Sequence, residues 1–283
     1  SLKIFFLMRY NMNFANKDND IKNRLINLFD KNIKGKKPDL TGRNKNHDGK
    51  AGNWLEEQFG KNPDADNNAD FWGYELKNET TSKTTFGDWS ANWYIFKDPK
   101  FNKLFPGATT SEKQDSFCRI FGKPNAQKFN RYSWSGSPVP KIDRFNAYGQ
   151  KLVITESLDI EAIYSFSEDA RPNKSIIIPN QLQTDNIKLA IWFGVTNPLN
   201  NQKTLKEKLE CKFNQKGWFT CKTNADGLYD RIYFGRPVNY EEWINLVKSG
   251  IVFFDSGMYE GNKRPYSQWR ANNAFWESLL EKD

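Results

Sequence analysis

The chain has 283 residues, of which 37% are apolar and 15% aromatic, enough material for one large domain or two small ones around a packed core. Its net charge of +8, from 42 Lys and Arg against 34 Asp and Glu, with a pI near 9.2, points to a polyanionic partner. Three cysteines and a single histidine, His47, make neither a zinc ligand set nor a histidine-based triad, so any reaction must run on carboxylates, lysine and a hard metal.

The opening "SLKIFFLMRYNMNF" holds an apolar run without a convincing cleavage site. The longest later runs, "LAIWFGV" and "GIVFF", are far shorter than the roughly 20 residues that span a bilayer, so a soluble intracellular protein is expected. "NDIKNRLINLFDKNI" carries Ile21, Leu25, Ile26, Leu28 and Phe29 at helical spacing, and a basic loop, "GKKPDLTGRNKNHDGK", follows it. In "KAGNWLEEQF", Ala51, Leu55 and Phe59 recur at i, i+4, i+8 and Gly60 suits a helix C-terminus. Glu56 borders that apolar stripe, and its neighbour Glu57 is expected to face solvent. The turn-forming "KNPDADNNAD" leads into "FWGYELKNETT", whose alternation predicts a strand with Tyr74 and Leu76 on one face and Glu75 and Lys77 on the other.

Further on, "TSEKQDSFCRIFGK" predicts a helix. "KLVITES", "AIYSF", "KSIIIPN", "KLAIWFGV", "GWFTCKT" and "DGLYDRIYFG" predict strands. "NYEEWINLVKSG" is a helix stopped by Gly250, "IVFFD" a strand and "NNAFWESLLEK" a last helix. The class is mixed α/β with a sheet-rich second half. Without repeats or low-complexity linkers, residues 1–283 are expected to form one domain of two lobes, one centred on 18–135 and one largely in 136–283.

If the loop before the predicted strand folds back, Asp70 and Glu75 meet with Lys77 beside them. One lysine does not offset the mutual repulsion of such carboxylates; a divalent cation does, and all-oxygen ligands favour Mg²⁺, with Mn²⁺ able to substitute. Metal-assisted phosphodiester hydrolysis would place such an acidic site in a basic protein. The same Glu-x-Lys spacing recurs in "LECK", at Glu210 and Lys212. That copy lacks a close upstream Asp and a preceding helix of the same kind, and reads as an exposed strand or turn.

"GNWLEEQFG" followed by "ADFWGYELK" resembles the signature of the PD-(D/E)xK nucleases of the MutH branch, most closely the BcnI and MvaI group of Type II restriction endonucleases. Gly52, Leu55, Glu56, Phe59, Gly60, Asp70, Glu75, Leu76 and Lys77 fall in register with it. The resemblance implies a restriction-endonuclease-like core, a central mixed sheet flanked by helices, together with a sheet-rich recognition lobe. It implies that Asp70, Glu75 and the Leu76 carbonyl hold Mg²⁺, that Lys77 positions the attacking water and that Glu56 supports the site from its helix. It also implies a cytoplasmic prokaryotic enzyme acting as a monomer on double-stranded DNA, without an obligate protein partner. The chain departs from that group in lacking a late-loop histidine, whose part would fall to Arg264 or Tyr266.

Base reading needs planar donors and rigid anchors. The late stretch "GNKRPYSQWRANN" offers Lys263, Arg264, Tyr266, Gln268, Trp269 and Arg270 in a turn-rich setting. "KPNAQKFNRYSW" adds Lys123, Lys128, Arg131 and Tyr132, chiefly for phosphate contacts, with the early basic loop as a further clamp. The expected activity is Mg²⁺-dependent cleavage of double-stranded DNA at a short site built on C and G pairs. A strand-nicking repair endonuclease and a non-cutting DNA-binding protein are the competing readings.

Overall fold

The structure is a computed structural model that describes residues 18–41, 49–61, 67–78 and 82–281. The opening apolar run, residues 42–48 of the early basic loop with His47, and part of the "KNPDADNNAD" turn lie outside the described residues. In chain order the elements are α1 (residues 18–32), α2 (Lys50–Gln58), β1 (Tyr74–Leu76), β2 (Lys83–Asp88), β3 (Trp93–Tyr94), α3 (Thr110–Phe121), β4 (Lys123–Asn125), β5 (Arg131–Trp134), β6 (Tyr148–Ile154) and β7 (Ile160–Asp169). They continue with α4 (Lys174–Ile177), β8 (Ile187–Trp192), α5 (Leu205–Phe213), β9 (Gly217–Thr223), β10 (Tyr229–Gly235), α6 (Tyr240–Lys248), β11 (Val252–Ser256), β12 (Met258–Tyr259), β13 (Ser267–Asn272) and α7 (Asn273–Ser278). Among the described residues no helix is long and apolar enough to cross a membrane.

The chain forms two compact units, one of residues 1–82, 210–238 and 276–283 and one of 83–209 and 239–275. Residues 83–135 group with the second unit and 210–238 with the first.

In the first unit β1 runs parallel to β9, and β9 pairs antiparallel with β10. The sheet is therefore mixed, with β1 as an open edge. Leu25, Phe29 and Ile33 from α1 and the turn after it, Leu55 and Phe59 from α2, and Tyr74, Leu76 and Phe219 from the sheet form one buried cluster. The Phe59 ring meets Phe219 edge-on at 5.1 Å, and Trp54 stacks on Tyr229 at 5.8 Å. Gly60 ends α2 with φ +91°, a left-handed conformation that lets the Gly60 and Lys61 amides close on the Glu57 and Glu56 carbonyls.

The second unit holds three sheets, ordered β11-β13-β2, β12-β5-β4 and β3-β8-β7-β6. Trp269 at the centre of β13 packs against Trp192, Trp243 and Phe254, with ring centroids 5.4–5.5 Å apart. α3 begins with a capping box in which Thr109 and Glu112 satisfy each other's backbone amides.

Two stretches, one predicted as a strand and one as an exposed strand or turn, are helical. "KSIIIPN" opens with the short α4, because Pro179 and the exposed Ile176 fit no sheet ladder. "LECK" lies on α5, where Thr204 and Glu207 cap the start and Leu205, Leu209 and Phe213 recur at helical spacing on a buried stripe. The late stretch is only partly a loop: residues 260–266 connect strands, whereas Ser267–Asn272 is β13, paired on both sides.

Candidate active site

The site grows from the turn that precedes β1. Phe71 and Tyr74 exchange backbone hydrogen bonds of 2.8 and 2.9 Å around Trp72 and Gly73, both at positive φ. That geometry is the tight hairpin turn, and it needs a residue such as Gly73 at its second corner. This reversal folds Asp70 back along the strand that follows.

Beyond the turn the backbone aims the ligands. Lys77 donates its amide to the Phe219 carbonyl at 2.9 Å. Neighbouring strand residues direct their backbone groups to opposite sides, so Leu76 turns its N–H and C=O toward the open edge, away from β9. There the Leu76 amide donates to Asp70 Oδ2 at 3.0 Å. The Leu76 carbonyl leaves on the same side as the Asp70 carboxylate.

Alternation along β1 sends Tyr74 and Leu76 into the core and puts Glu75 and Lys77 together. Glu75 Oε1 accepts from Lys77 Nζ at 2.9 Å and from Lys212 Nζ of α5, also at 2.9 Å. The Glu75 side chain is 3% exposed, and its other oxygen, Oε2, is buried without a hydrogen-bond partner. Asp70 Oδ1 is paired with Lys61 at 2.8 Å. Two carboxylates thus face three lysines.

Burial outweighs the pull of Glu75 on Lys77, whose pKa lies below the ordinary lysine value, and the Lys212 charge beside it acts in the same downward direction. For Lys212, burial is overcome by Glu75 and Asp70, which hold its pKa above the ordinary value. The two amines on one oxygen are therefore inequivalent: Lys77 releases its proton more readily, and Lys212 stays charged. The Lys77 ammonium also lies 5.1 Å from the centre of the Phe213 ring, an apolar wall that accounts for its desolvation.

The donor set fits a hard divalent cation. A buried carboxylate oxygen without a partner is costly, and a cation relieves it. Asp70 and the Leu76 carbonyl supply further oxygen on the neighbouring edge, the ligand type that Mg²⁺ prefers. Among the described residues no three Asp, Glu, His or Cys side chains gather as a metal cage, and Mg²⁺ is commonly held by one or two carboxylates with water and substrate oxygens completing its shell. Glu56 is half-buried on α2 and Glu57 is exposed. Glu56 follows Gly52 by one helical turn, and a side chain at Gly52 would come 3.7 Å from Asn78, which places that face of α2 over the end of β1.

Lys212 and Lys61 did not figure among the sequence candidates. Lys212 is 137 residues from its partner Glu75, and its Glu-x-Lys context suggested a surface strand. The readable signal was the Thr204–Glu207 capping box, which makes the segment a helix.

The residues expected to contact DNA lie in the second unit, on two segments. Lys123 donates to Ser137 at 2.7 Å, Lys128 is exposed, and Arg131 stacks on Tyr259 with its guanidinium 3.5 Å from the ring centre. The Tyr132 amide donates to Glu260 Oε2 at 2.6 Å. Lys263 is exposed, and Arg264 stacks on Tyr266 at 4.2 Å while pairing with Asp88 at 2.8 Å. Gln268 is half-buried. Arg270 is held by Asp255 at 3.2 Å and by the Lys83 carbonyl at 2.8 Å, which ties its guanidinium to the fold. Trp269 is fully buried; its expected part in base contacts is corrected to a core role, because no base edge can reach it. β12 pairs antiparallel with β5, Tyr259 opposite Ser133, so the 260–266 loop and the tip of the β4–β5 hairpin leave this sheet at the same end.

An open-edged mixed sheet carrying an Asp, a Glu-x-Lys and a flanking helix is the frame of a restriction-endonuclease-like nuclease. The chain superimposes on MvaI in its complex with cognate DNA with a TM-score of 0.54, 15% identity and coverage of 93% of this chain and 96% of that one. The Type II restriction enzyme ScrFI of Lactococcus lactis subsp. cremoris is 64% identical over 265 residues, which is 93% of this chain and 98% of that protein. The family model described as LlaMI restriction endonuclease matches residues 33–283. The chain belongs to the LlaMI restriction endonuclease family, and is a Type II restriction endonuclease of the kind the sequence resemblance implies.

Proposed function

We propose that this enzyme hydrolyses double-stranded DNA at a short site built on C and G pairs, with Asp70, Glu75 and Lys77 carrying the reaction around Mg²⁺. The observation that supports this reading most is Glu75: one oxygen holds two lysines, and the other is buried without a partner. Asp70, Glu75 Oε2 and the Leu76 carbonyl would hold the metal, with Mn²⁺ able to substitute. When bound, the metal lowers the pKa of a water and offsets charge on the phosphodiester.

The protein's own groups do the rest. Lys77, desolvated and less firmly protonated than a free lysine, orients the attacking water and takes up or gives back its proton at Nζ. Lys212 pairs with Glu75 Oε1 and lends positive charge where the phosphate gains negative charge. Lys61 holds Asp70 in place through Oδ1, and Glu56 supports the site from α2. Lys123, Lys128, Arg131, Tyr132, Lys263, Arg264, Tyr266 and Gln268 serve binding and base reading, and the missing late-loop histidine is covered by Arg264 or Tyr266. In this reading the first unit cuts and the second reads, and the enzyme works as a monomer in a prokaryotic cytoplasm.

Lys77→Ala and Asp70→Ala should each abolish Mg²⁺-dependent cleavage of supercoiled plasmid while leaving DNA binding largely intact. Wild-type products that are discrete linear fragments support restriction; open circles alone would favour a nicking enzyme. Full activity in either variant would refute the assignment of these residues.

A further inference from the structure

The tip of the β4–β5 hairpin carries a feature that folding alone does not explain. Phe129 is 102% exposed, and it sits at φ +55°, a left-handed conformation that a bulky L-residue rarely adopts. Asn130, at φ +58°, is a natural occupant of that region; a phenylalanine is not. Neither burial nor backbone preference is served by an aromatic ring at this position.

The tip is nonetheless firmly built. The Asn130 amide donates to the Asn125 carbonyl at 3.0 Å, and the Asn125 side chain accepts from the Gln127 amide at 3.1 Å. β5 is clasped from the other side by β12, by the Arg131–Tyr259 stack and by Glu260, which receives the Tyr132 amide. The hairpin is therefore a braced arm with an aromatic ring at its end. Lys128 stands exposed beside the ring, and Arg131 follows two residues later.

We infer that Phe129 is a wedge that inserts between stacked bases of the DNA, with Lys128 gripping the adjacent phosphates. A planar apolar ring next to an exposed cation matches a base step: the ring covers the faces of unstacked bases while the Lys128 charge meets the backbone. The neighbouring 260–266 loop, which leaves the sheet at the same end, supplies hydrogen-bonding and charged groups that a wedge lacks. The left-handed backbone at Phe129 coincides with full exposure of its ring, and strained residues of this kind cluster at binding sites. The inference rests on the reading of the chain as a DNA-cleaving enzyme and adds a recognition element to it.

The test uses the full-length protein and duplexes that carry its cleavage site, with 2-aminopurine at successive positions and Ca²⁺ in place of Mg²⁺ so that the complex persists. Wild type should raise 2-aminopurine emission several-fold at one base step. Phe129→Ala should abolish that rise and weaken binding about ten- to a hundred-fold, in line with the loss of base–aromatic stacking, with the salt dependence unchanged because no phosphate contact is lost. Phe129→Trp should keep both signals. Thermal unfolding of Phe129→Ala should match wild type, since the ring touches nothing in the fold. Wild-type binding and emission in Phe129→Ala would overturn the wedge. So would weaker binding with an altered salt slope and an unchanged emission pattern, which would make Phe129 a support for phosphate contacts. A wild-type enzyme that cuts no DNA would instead overturn the underlying functional reading.

Discussion

Replacing Lys212 by glutamine tests whether the second lysine belongs to the site. The Lys212–Glu75 pair is 2.9 Å long, with the side chains 15% and 3% exposed, so screening by solvent is slight. At an effective dielectric of 20 its attraction is about 6 kcal/mol. Lys77 contacts the same oxygen, so the two ammonium groups are at most about 6 Å apart and their repulsion offsets about 3 kcal/mol. Part of the remainder is cancelled because a buried ammonium no longer has to be desolvated. The net loss is about 1.5–3 kcal/mol, the range of a hydrogen bond to a charged group. Melting should fall by a few degrees, about 2 °C for each kcal/mol in a chain of this size.

Two further changes have fixed signs. Without the Lys212 charge Lys77 becomes more basic, so if its neutral form accepts a proton, the acidic limb of the cleavage rate moves to higher pH. Mg²⁺ half-saturation, measured by calorimetry, should move to lower concentration, because one competing cation has gone. An unchanged melting temperature together with unchanged Mg²⁺ binding would remove Lys212 from the site.

Trp269→Ala should cost about 3–5 kcal/mol in denaturant unfolding, the usual range for emptying a core tryptophan site; a loss under 1 kcal/mol would restore Trp269 as a surface candidate. Gly60→Ala should cost about 1 kcal/mol or more, because alanine is strained at the left-handed end of α2, and equal stability would mean that the turn relaxes freely. Cognate binding should fall linearly on a log–log salt plot with a slope of about −0.9 for each phosphate neutralised, and Lys128→Ala should reduce that slope by about one. No change on removing Lys128 would take it out of the interface.

The catalytic strand was legible because its signals are local. The turn formers before it and the alternation from Tyr74 to Lys77 fall within a few residues, so a period-2 reading placed Glu75 beside Lys77 before any tertiary information was needed, although Trp72 and Gly73, read as part of the strand, form the turn that precedes it. Gly60 was readable for the same reason. Lys212 was not, since nothing in a local pattern shows that the end of one helix meets a strand 137 residues away. In the late stretch, Gly261 and Pro265 gave the impression of a continuous loop, while "SQWRAN" already alternates Ser267, Trp269 and Ala271 inward with Gln268 and Arg270 between them. An aromatic beside cations reads as a binding residue in sequence; its position in the period decides whether it faces bases or the core. Phe129 escaped notice for the opposite reason, because a single exposed ring leaves no periodic trace.

The most direct test is digestion of long unmodified DNA with Mg²⁺, followed by sequencing of the fragment ends, for wild type and Glu75→Gln. Wild type should give discrete ends at one short site containing C and G pairs, and Glu75→Gln, which removes the charge that anchors both lysines and that the proposal assigns to the metal, should leave the DNA intact. Random ends from wild type, or the same ladder of fragments from Glu75→Gln, would contradict the account.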